Sequence, residues 1–407
     1  MSASAVEARP PRPVVTELRL AAFRGHRGTV LPLGPLTLLA GPSGSGKSTA
    51  LEALARLGRL CAGEPLPEVF PDPVACVPQQ ARPDAQGRRG FRLGCTVDGP
   101  VGPVRLDVAV QAEPRLRIVG ERLTGAGHTL LATGLREPRR PVVHAEWFTG
   151  GAARVVRAPL PDDRLGTALL PLRIAGTTDG ERLVVEAAEQ LLVALRAVFH
   201  CDPQPAAMRA PAAATDGLLR GRCDNLAAVL RRTRTECTTR HAALVAAVRN
   251  GCAGPVVDLL AEECAPGRVR AVVERGDGAR TPVGWLGDGE LRFMALALVL
   301  LTGPGVLETD RVEEVLAARQ ALAVLVDGLD RGMDARQAEA LRELAVRMCA
   351  RGHIRLLATV GDAASACGGE GVRVVELPAR WSARRGRAGC APPGERRLST
   401  PGICHSQ

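Results

Sequence analysis

The chain contains a single lysine, and that lysine lies in a glycine-rich segment, Gly41-Pro-Ser-Gly-Ser-Gly-Lys-Ser48. The spacing GxxxxGK[ST] is typical of a loop whose backbone N–H groups surround phosphate oxygens. Lys and Arg together number 53, so the positive charge elsewhere in the chain is carried by arginine. Because a planar guanidinium does not replace a compact ammonium group, the one retained lysine indicates a phosphate site.

The sequence on both sides of this segment predicts the strand–loop–helix arrangement that such a site requires. Residues 34–40 read as a short buried strand, and residues 49–56 as a helix whose N-terminus binds an anion. We therefore expect ATP or GTP binding, with Lys47 at the β- and γ-phosphates and the Ser48 hydroxyl on Mg²⁺. The candidate nucleotide-binding residues are Gly41, Pro42, Ser43, Gly44, Ser45, Gly46, Lys47, Ser48 and Thr49.

Composition narrows the class of protein. Hydrophobic residues make up 46% of the chain, which is enough for a sizeable core. Residues 1–13 lack the apolar stretch of a secretory signal, and no apolar run approaches the ~18 residues that span a bilayer. Twelve cysteines are scattered without a CxxC pair, which favours reduced thiols. These features predict a cytoplasmic protein without a membrane partner.

The net charge of +10 is concentrated in two segments. Residues 217–250 hold seven arginines against Asp224 and Glu236, and residues 379–407 hold six arginines against Glu395. Arginine on a helix or a tail can neutralise DNA phosphates. It can equally form a solvated surface, and the sequence leaves both interpretations open.

Periodicity predicts an α/β fold: a P-loop NTPase with an antiparallel β subdomain and an inserted helical arm. Alternating runs between residues 91 and 135 indicate an antiparallel meander. Helical patterns over residues 181–200 and 224–249, the second with near-heptad spacing, predict two antiparallel helices that form an arm or a helical subdomain. The expected division is a disordered N-terminus at 1–13, the first half of the ATPase head at 14–180, the arm at 181–250, the second half at 251–378, and a disordered basic tail at 379–407.

A phosphate loop needs an acidic partner for Mg²⁺, and Asp327 is the best candidate. It ends the apolar run Leu322-Ala-Val-Leu-Val, which predicts a buried strand. We therefore assign catalytic roles to Lys47 and Asp327. Asp327 follows Lys47 by 280 positions, a separation much longer than compact P-loop kinases use.

Four segments carry a resemblance to a known group of proteins. They are Leu18–Gly28 (LRLAAFRGHRG), Asp224-Asn-Leu226, Leu286-Gly-Asp-Gly-Glu290 and Asp327-Gly-Leu-Asp-Arg-Gly-Met-Asp334. Together with the split between the loop and Asp327, they resemble the RecF/SMC/OLD-like group of ABC-type P-loop ATPases. Predicted AAA-type ATP-binding proteins, many of them actinobacterial, belong to this group.

The resemblance implies ATP and Mg²⁺ as cofactors and two heads meeting head to tail in a homodimer. Residues 286–290 (Leu286, Gly287, Asp288, Gly289, Glu290) would form the signature motif that faces the partner's ATP. Gly289 would permit close backbone approach, and Glu290 would lie in the first helical turn. Gln79 or Gln80 would be the Q-loop glutamine, with Gln79 as a weak metal-ligand candidate.

Three departures from the pattern predict slow hydrolysis. Gly287 replaces the signature serine, Gly328 stands where a glutamate normally orients the attacking water, and no switch histidine stands at Val360 or Gly361, where the strand over residues 354–360 ends. Asp330, Asp334 or Asp362 could substitute as the base, or could be turn and cap residues. We therefore expect a slow ATPase acting in DNA repair or defence. The alternative is a non-hydrolysing, nucleotide-gated switch that binds a protein partner.

Overall fold

The computed structural model describes residues 12–151, 156–303, 305–309, 316, 319–361 and 371–379. Its strands are β1 Val14–Phe23, β2 His26–Pro32, β3 Leu36–Ala40, β4 Arg89–Asp98, β5 Val104–Glu113, β6 Arg117–Gly125, β7 His128–Gly134, β8 Val142–Trp147, β9 Val156–Pro161, β10 Val198–Cys201, β11 Ala212–Ala213, β12 Asp258–Ala265, β13 Arg268–Glu274, β14 Arg280–Pro282, β15 Leu322–Val326, β16 Ile354–Thr359 and β17 Val372–Glu376.

The α-helices of the same residues are α1 Lys47–Cys61, α2 Leu66–Val69, α3 Gly166–Arg173, α4 Asp179–Arg196, α5 Pro205–Met208, α6 Leu226–Glu236, α7 Thr238–Gly251, α8 Asp288–Leu301 and α9 Ala335–Ala350. Short 3-10 turns lie at Val74–Cys76 and Val283–Trp285. Of the predicted N-terminal segment and basic tail, only residues 12, 13 and 379 are among the described residues.

A parallel sheet of five strands, in the order β10-β15-β16-β3-β17, forms the centre of the molecule. Its two faces pack against different helices, so that neighbouring residues Leu38 and Leu39 of β3 belong to two separate apolar clusters. Helices α1 and α4 lie on one side, while α8 and α9 lie on the other. Burial on both faces explains the nearly continuous apolar runs of these strands.

An antiparallel sheet in the order β2-β1-β4-β5-β6-β7-β8-β9 forms the second layer. Consecutive strands from β4 to β7 pair antiparallel, as the alternating runs over residues 91–135 predicted. Its inner face shares a core with α1 and α4. The predicted α/β class with a separate antiparallel β subdomain is therefore confirmed.

The segment 181–250 differs from the expected arm, because its helices are packed into the body. Helix α4 joins the core beneath the antiparallel sheet and leads directly into β10 of the central sheet. The second predicted helix is broken at Cys237 into α6 and α7. Helix α6 packs against a small sheet of β11, β12, β13 and β14, and α7 packs against α8 and α9.

The near-heptad residues account for this difference. Leu226, Leu230 and Leu244 are fully buried in the apolar cluster that α6 and α7 share with the small sheet. A seven-residue repeat specifies an apolar stripe but not what covers it. Here a sheet and two neighbouring helices cover it, instead of a partner helix in an arm.

Candidate nucleotide-binding site

The predicted phosphate loop connects β3 to α1. All five residues of β3 are buried, and α1 begins at Lys47, directly after Gly46. Gly41 and Gly46 have φ angles of 137° and 100°, which glycine adopts far more easily than other residues. A Cβ atom at Gly41 would lie 2.3 Å from the carbonyl oxygen of Leu377. The loop therefore requires glycine both for its backbone angles and for its close packing.

Lys47 points back across the loop that precedes it. Its Nζ donates hydrogen bonds to the carbonyl oxygens of Gly41 and Pro42, the second at 3.2 Å. Both carbonyls belong to residues 41–48, so the ammonium group lies against the backbone of this loop, which we call the cradle. His26, from the hairpin of β1 and β2, supports the cradle from the side, with Nε2 3.0 Å from the Gly46 carbonyl oxygen.

A cavity of about 1210 Å³ opens beside the loop. Its lining includes the loop residues Ser43, Gly44, Ser45 and Thr49, the hairpin residues Arg24, His26 and Arg27, and the glutamines Gln79 and Gln80. The two glutamines predicted as Q-loop candidates thus share a cavity with the phosphate loop. Its size and its position beside the cradle fit a nucleoside triphosphate.

Asp327 follows the last residue of β15 and reaches the phosphate loop. The Ser48 hydroxyl donates to Asp327 Oδ2 at 3.0 Å, although 279 positions separate the two residues. Thr359, at the end of β16, donates from Oγ1 to Asp327 Oδ1 at 2.6 Å and accepts a hydrogen bond from the Gly328 N–H. Because β16 lies between β3 and β15, the ends of three parallel strands place these groups together.

The surroundings of Asp327 favour its ionised form. Burial alone would raise the pKa of Asp327, but hydrogen bonds from Thr359 and Ser48, with the charges of Arg331 and His200, lower the pKa below its ordinary value. An ionised carboxylate beside a hydroxyl is a pair of hard oxygen donors, the type that Mg²⁺ prefers. The residues present therefore fit a magnesium ion shared with phosphate oxygens.

The position after Asp327 does not offer a base. Gly328 has a φ of 70°, and a Cβ atom there would lie 2.8 Å from Arg331 Nε. Asp334 instead caps α9 by accepting from the Gln337 N–H at 2.7 Å, and Asp330 Oδ2 lies 3.4 Å from the Gly361 nitrogen. Asp362, the third substitute considered from the sequence, lies outside the described residues.

The segment resembling a signature motif forms the start of α8. Gly287 precedes the helix, and Glu290 lies in its first turn, where the carboxylate accepts from the N–H groups of Gly287 and Ala253. Arg209 binds Asp288 and the Leu286 carbonyl. In the described part of the chain, residues 286–290 do not line the cavity beside the phosphate loop.

Gly289 makes its close backbone contact within its own chain. A Cβ atom at this position would lie 2.2 Å from the carbonyl oxygen of Gly332, in the turn after Asp327. The glycine is therefore required for packing between the start of α8 and this turn. The sequence interpretation, in which Gly289 permits approach to a partner's nucleotide, did not include this contact.

Sequence reasoning missed three residues that shape the site: Thr359, Arg331 and Arg292. Thr359 could have been found, because it ends a buried strand as Asp327 does. The almost fully buried Arg292 binds the carbonyl oxygens of Asp327 and Gly328 from α8, and no sequence motif marks it. Its role follows only from the packing of α8 beneath the central sheet.

Comparisons with solved structures find SMC head domains. The head domain from Thermotoga maritima is similar at a TM-score of 0.43 and 12% identity, over 89% of this chain and 94% of that one. A head bound to the C-winged helix domain of ScpA gives 0.45 and 12%, over 86% and 89%. A head with an extended coiled coil, bound to the C-terminal domain of ScpA and derived from Pyrococcus furiosus, gives 0.48 and 9%, over 90% and 94%.

Sequence comparisons gave neither a matching protein-family model nor a matching curated protein. At 9–12% identity, the likeness to solved structures concerns the fold alone. None of the helices in the described ranges is both long and apolar enough to cross a membrane.

Proposed function

We propose that the protein binds ATP together with Mg²⁺ and hydrolyses it slowly. The observation that carries this proposal is the 3.0 Å contact between Ser48 of the phosphate loop and Asp327 of a distant strand. The two residues come from segments 279 positions apart, and a metal bound to phosphate oxygens would use both as ligands. Calorimetric titration with ATP, with and without Mg²⁺, tests it; absence of binding in both conditions contradicts it.

The chain's own residues suggest how the nucleotide is held. Backbone N–H groups of residues 43–48 would donate to phosphate oxygens, and the Lys47 ammonium group would neutralise the β- and γ-phosphates. Ser48 and Asp327 would hold Mg²⁺, which supplies charge neutralisation on the transferred phosphate. With Gly328 after Asp327, water activation has no side chain at the usual position. Slow turnover follows from that gap.

In a head-to-tail homodimer, the start of α8 would contact the nucleotide bound by the second copy. Within the described residues, residues 286–290 do not line the cavity beside the phosphate loop, and the resemblance to ABC-type ATPases implies that such a segment meets the nucleotide of a second copy. Trp285 precedes this segment and is 80% exposed. Arg209 fixes the loop around it through the carbonyl oxygens of Gly284 and Leu286. An exposed tryptophan on a fixed loop suits an interface anchor.

We expect ATP to convert monomer to dimer and ADP to leave the monomer, as measured by light scattering. Trp285→Ser should weaken the ATP-dependent dimer about tenfold or more, as loss of an interface anchor does. Leu172→Ser is the matched control, because Leu172 is 84% exposed on α3. One mass in every nucleotide state would remove the assignment of residues 286–290 as a signature motif.

We propose DNA as a second partner, through the arginines of residues 217–250 or the basic tail, which would suit a role in DNA repair or defence in the cytoplasm. Support comes from charge alone. Arg232 pairs with Glu236 and Arg234 with Asp258, which reduces the charge that they offer to phosphate. Arg231 is exposed on the same helix and is the better phosphate contact.

Replacing Arg231, Arg232 and Arg234 with Gln should weaken DNA binding and flatten its salt dependence, by a slope of about one per lost phosphate contact. Arg231→Gln alone should account for most of the change, since the other two are paired. Fluorescence anisotropy across a salt series, with Arg347→Gln as the control, measures both effects. If the wild-type protein has no DNA affinity at ~50 mM salt, where phosphate attraction is strong, nucleic acid is not the partner.

The alternative is a nucleotide-gated switch that binds a protein partner without turnover. Gly328 favours the switch, because the position that carries the base in related ATPases has no carboxylate here. The two functions share the nucleotide site and differ in the partner and in phosphate release. The wild-type turnover rate therefore separates them.

A further inference from the structure

Arg331 occupies the space beside Gly328 where a longer side chain at residue 328 would project. A Cβ atom added to Gly328 would lie 2.8 Å from Arg331 Nε, 3.0 Å from its Cβ and 3.2 Å from its Cζ. A positively charged guanidinium therefore occupies the space beside Gly328, where the resemblance to ABC-type ATPases implies a carboxylate.

The Arg331 guanidinium faces the magnesium position. Its Nη2 lies 3.4 Å from Asp327 Oδ2, the same oxygen that accepts the Ser48 hydroxyl at 3.0 Å. One carboxylate oxygen thus links the arginine to the residue that would share a metal with the phosphates. A cation held by Asp327 together with the nucleotide would weaken the contact between Asp327 and Arg331, because two positive charges would compete for one carboxylate.

A second carboxylate holds the same arginine from the opposite direction. Arg331 Nη1 lies 3.5 Å from Asp202 Oδ1, and Arg292 Nη1 lies 3.2 Å from that same oxygen. Asp202 follows β10, which is the neighbour of β15 in the central sheet. The Arg331 side chain is 52% exposed, so it is open to solvent and not enclosed in the core.

We propose that Arg331 binds the γ-phosphate of the nucleotide held by its own phosphate loop, and so discriminates ATP from ADP. This inference rests on the proposed nucleotide site. A guanidinium offers paired N–H donors in a plane that matches two phosphate oxygens. ADP lacks the phosphate that Arg331 would reach, so its affinity should be independent of this side chain. Arg331 would bind the γ-phosphate and neutralise part of its charge, but it would not act as the base that activates water.

The test compares the affinities for ADP and for a non-hydrolysable ATP analogue, both with Mg²⁺, by calorimetry. Arg331→Gln should weaken binding of the analogue about tenfold, the order expected for one hydrogen bond to a charged group, and leave ADP binding unchanged. Arg331→Lys should give an intermediate loss, because it keeps the charge without the fork. Arg347→Gln is the control, since its side chain is 62% exposed on α9.

Each outcome separates the inference from the proposed function. Wild-type protein that binds neither nucleotide overturns the proposed site itself. If wild-type binds both, and Arg331→Gln leaves the ratio of the two affinities unchanged, Arg331 does not contact the γ-phosphate. An equal loss for both nucleotides, with a weaker dependence on Mg²⁺, would show that Arg331 only positions Asp327. If thermal unfolding shows that Arg331→Gln is not folded, the same two affinities are compared for Arg331→Lys.

Discussion

Lys47→Ala is expected to abolish nucleotide binding, with an affinity loss on the order of 100-fold or more. Hydrogen bonds to charged groups contribute about 1.5–3 kcal/mol each, and Lys47 would make such contacts with both the β- and γ-phosphates. Lys47→Arg should also impair binding, because the loop admits a point charge but not a planar fork. Calorimetric titration with ATP measures both variants.

The control for this prediction is the thermal stability of the Lys47 variants. Within the described residues, the Lys47 ammonium group donates hydrogen bonds to the carbonyl oxygens of Gly41 and Pro42, both in the loop itself. The thermal unfolding temperature of Lys47→Ala should therefore stay close to that of the wild type. Unchanged ATP affinity in both Lys47 variants would show that residues 41–48 do not form the nucleotide site.

Wild-type phosphate release is expected to be slow, about 0.1 s⁻¹ or less. Loss of a water-orienting base costs about 10²–10⁴-fold, starting from a median enzyme rate of about 10 s⁻¹. The structural reason is Gly328, whose left-handed φ of 70° and contact with Arg331 leave no carboxylate beside Asp327. Steady-state phosphate release with saturating ATP and Mg²⁺ gives the rate.

Restoring a glutamate at this position should not restore fast turnover. A side chain in the left-handed region costs roughly 1 kcal/mol, and Gly328→Glu must also displace Arg331. We expect lower thermal stability and no large gain in rate. Gly328→Ala, which carries the same backbone strain without the carboxylate, separates the two effects. A wild-type rate in the ordinary range of ~1–10³ s⁻¹ would mean that another residue supplies the base.

Much of the candidate nucleotide site could be proposed from the sequence because its signals are local. The spacing of glycines around Lys47 requires only residues 41–48, and an apolar run ending in Asp327 requires only residues 322–327. Thr359 was within reach of the same reasoning. Arg331 and Arg292 were not, because their importance depends on which strand end each approaches, and side-chain direction across a turn or a helix has no sequence signature.

The helical segment shows the opposite case. Apolar spacing over residues 224–249 gave the correct buried faces and the wrong arrangement, since α6 and α7 are separate helices packed into the body. A periodic stripe states that a face will be buried. It does not state whether a helix, a sheet or a second molecule will bury it.

The sequence by itself determined the glycine-rich loop before Lys47, the strand that ends just before Asp327 and the absence of a carboxylate at residue 328, since each is a property of a few consecutive residues. Only the tertiary structure decided that Ser48 and Asp327 meet, that Thr359 joins them, and that Arg331 fills the space beside Gly328. Those contacts arise from the order β15-β16-β3 in the central sheet. Strand order is set by the packing of both faces of that sheet, which depends on residues spread over the chain.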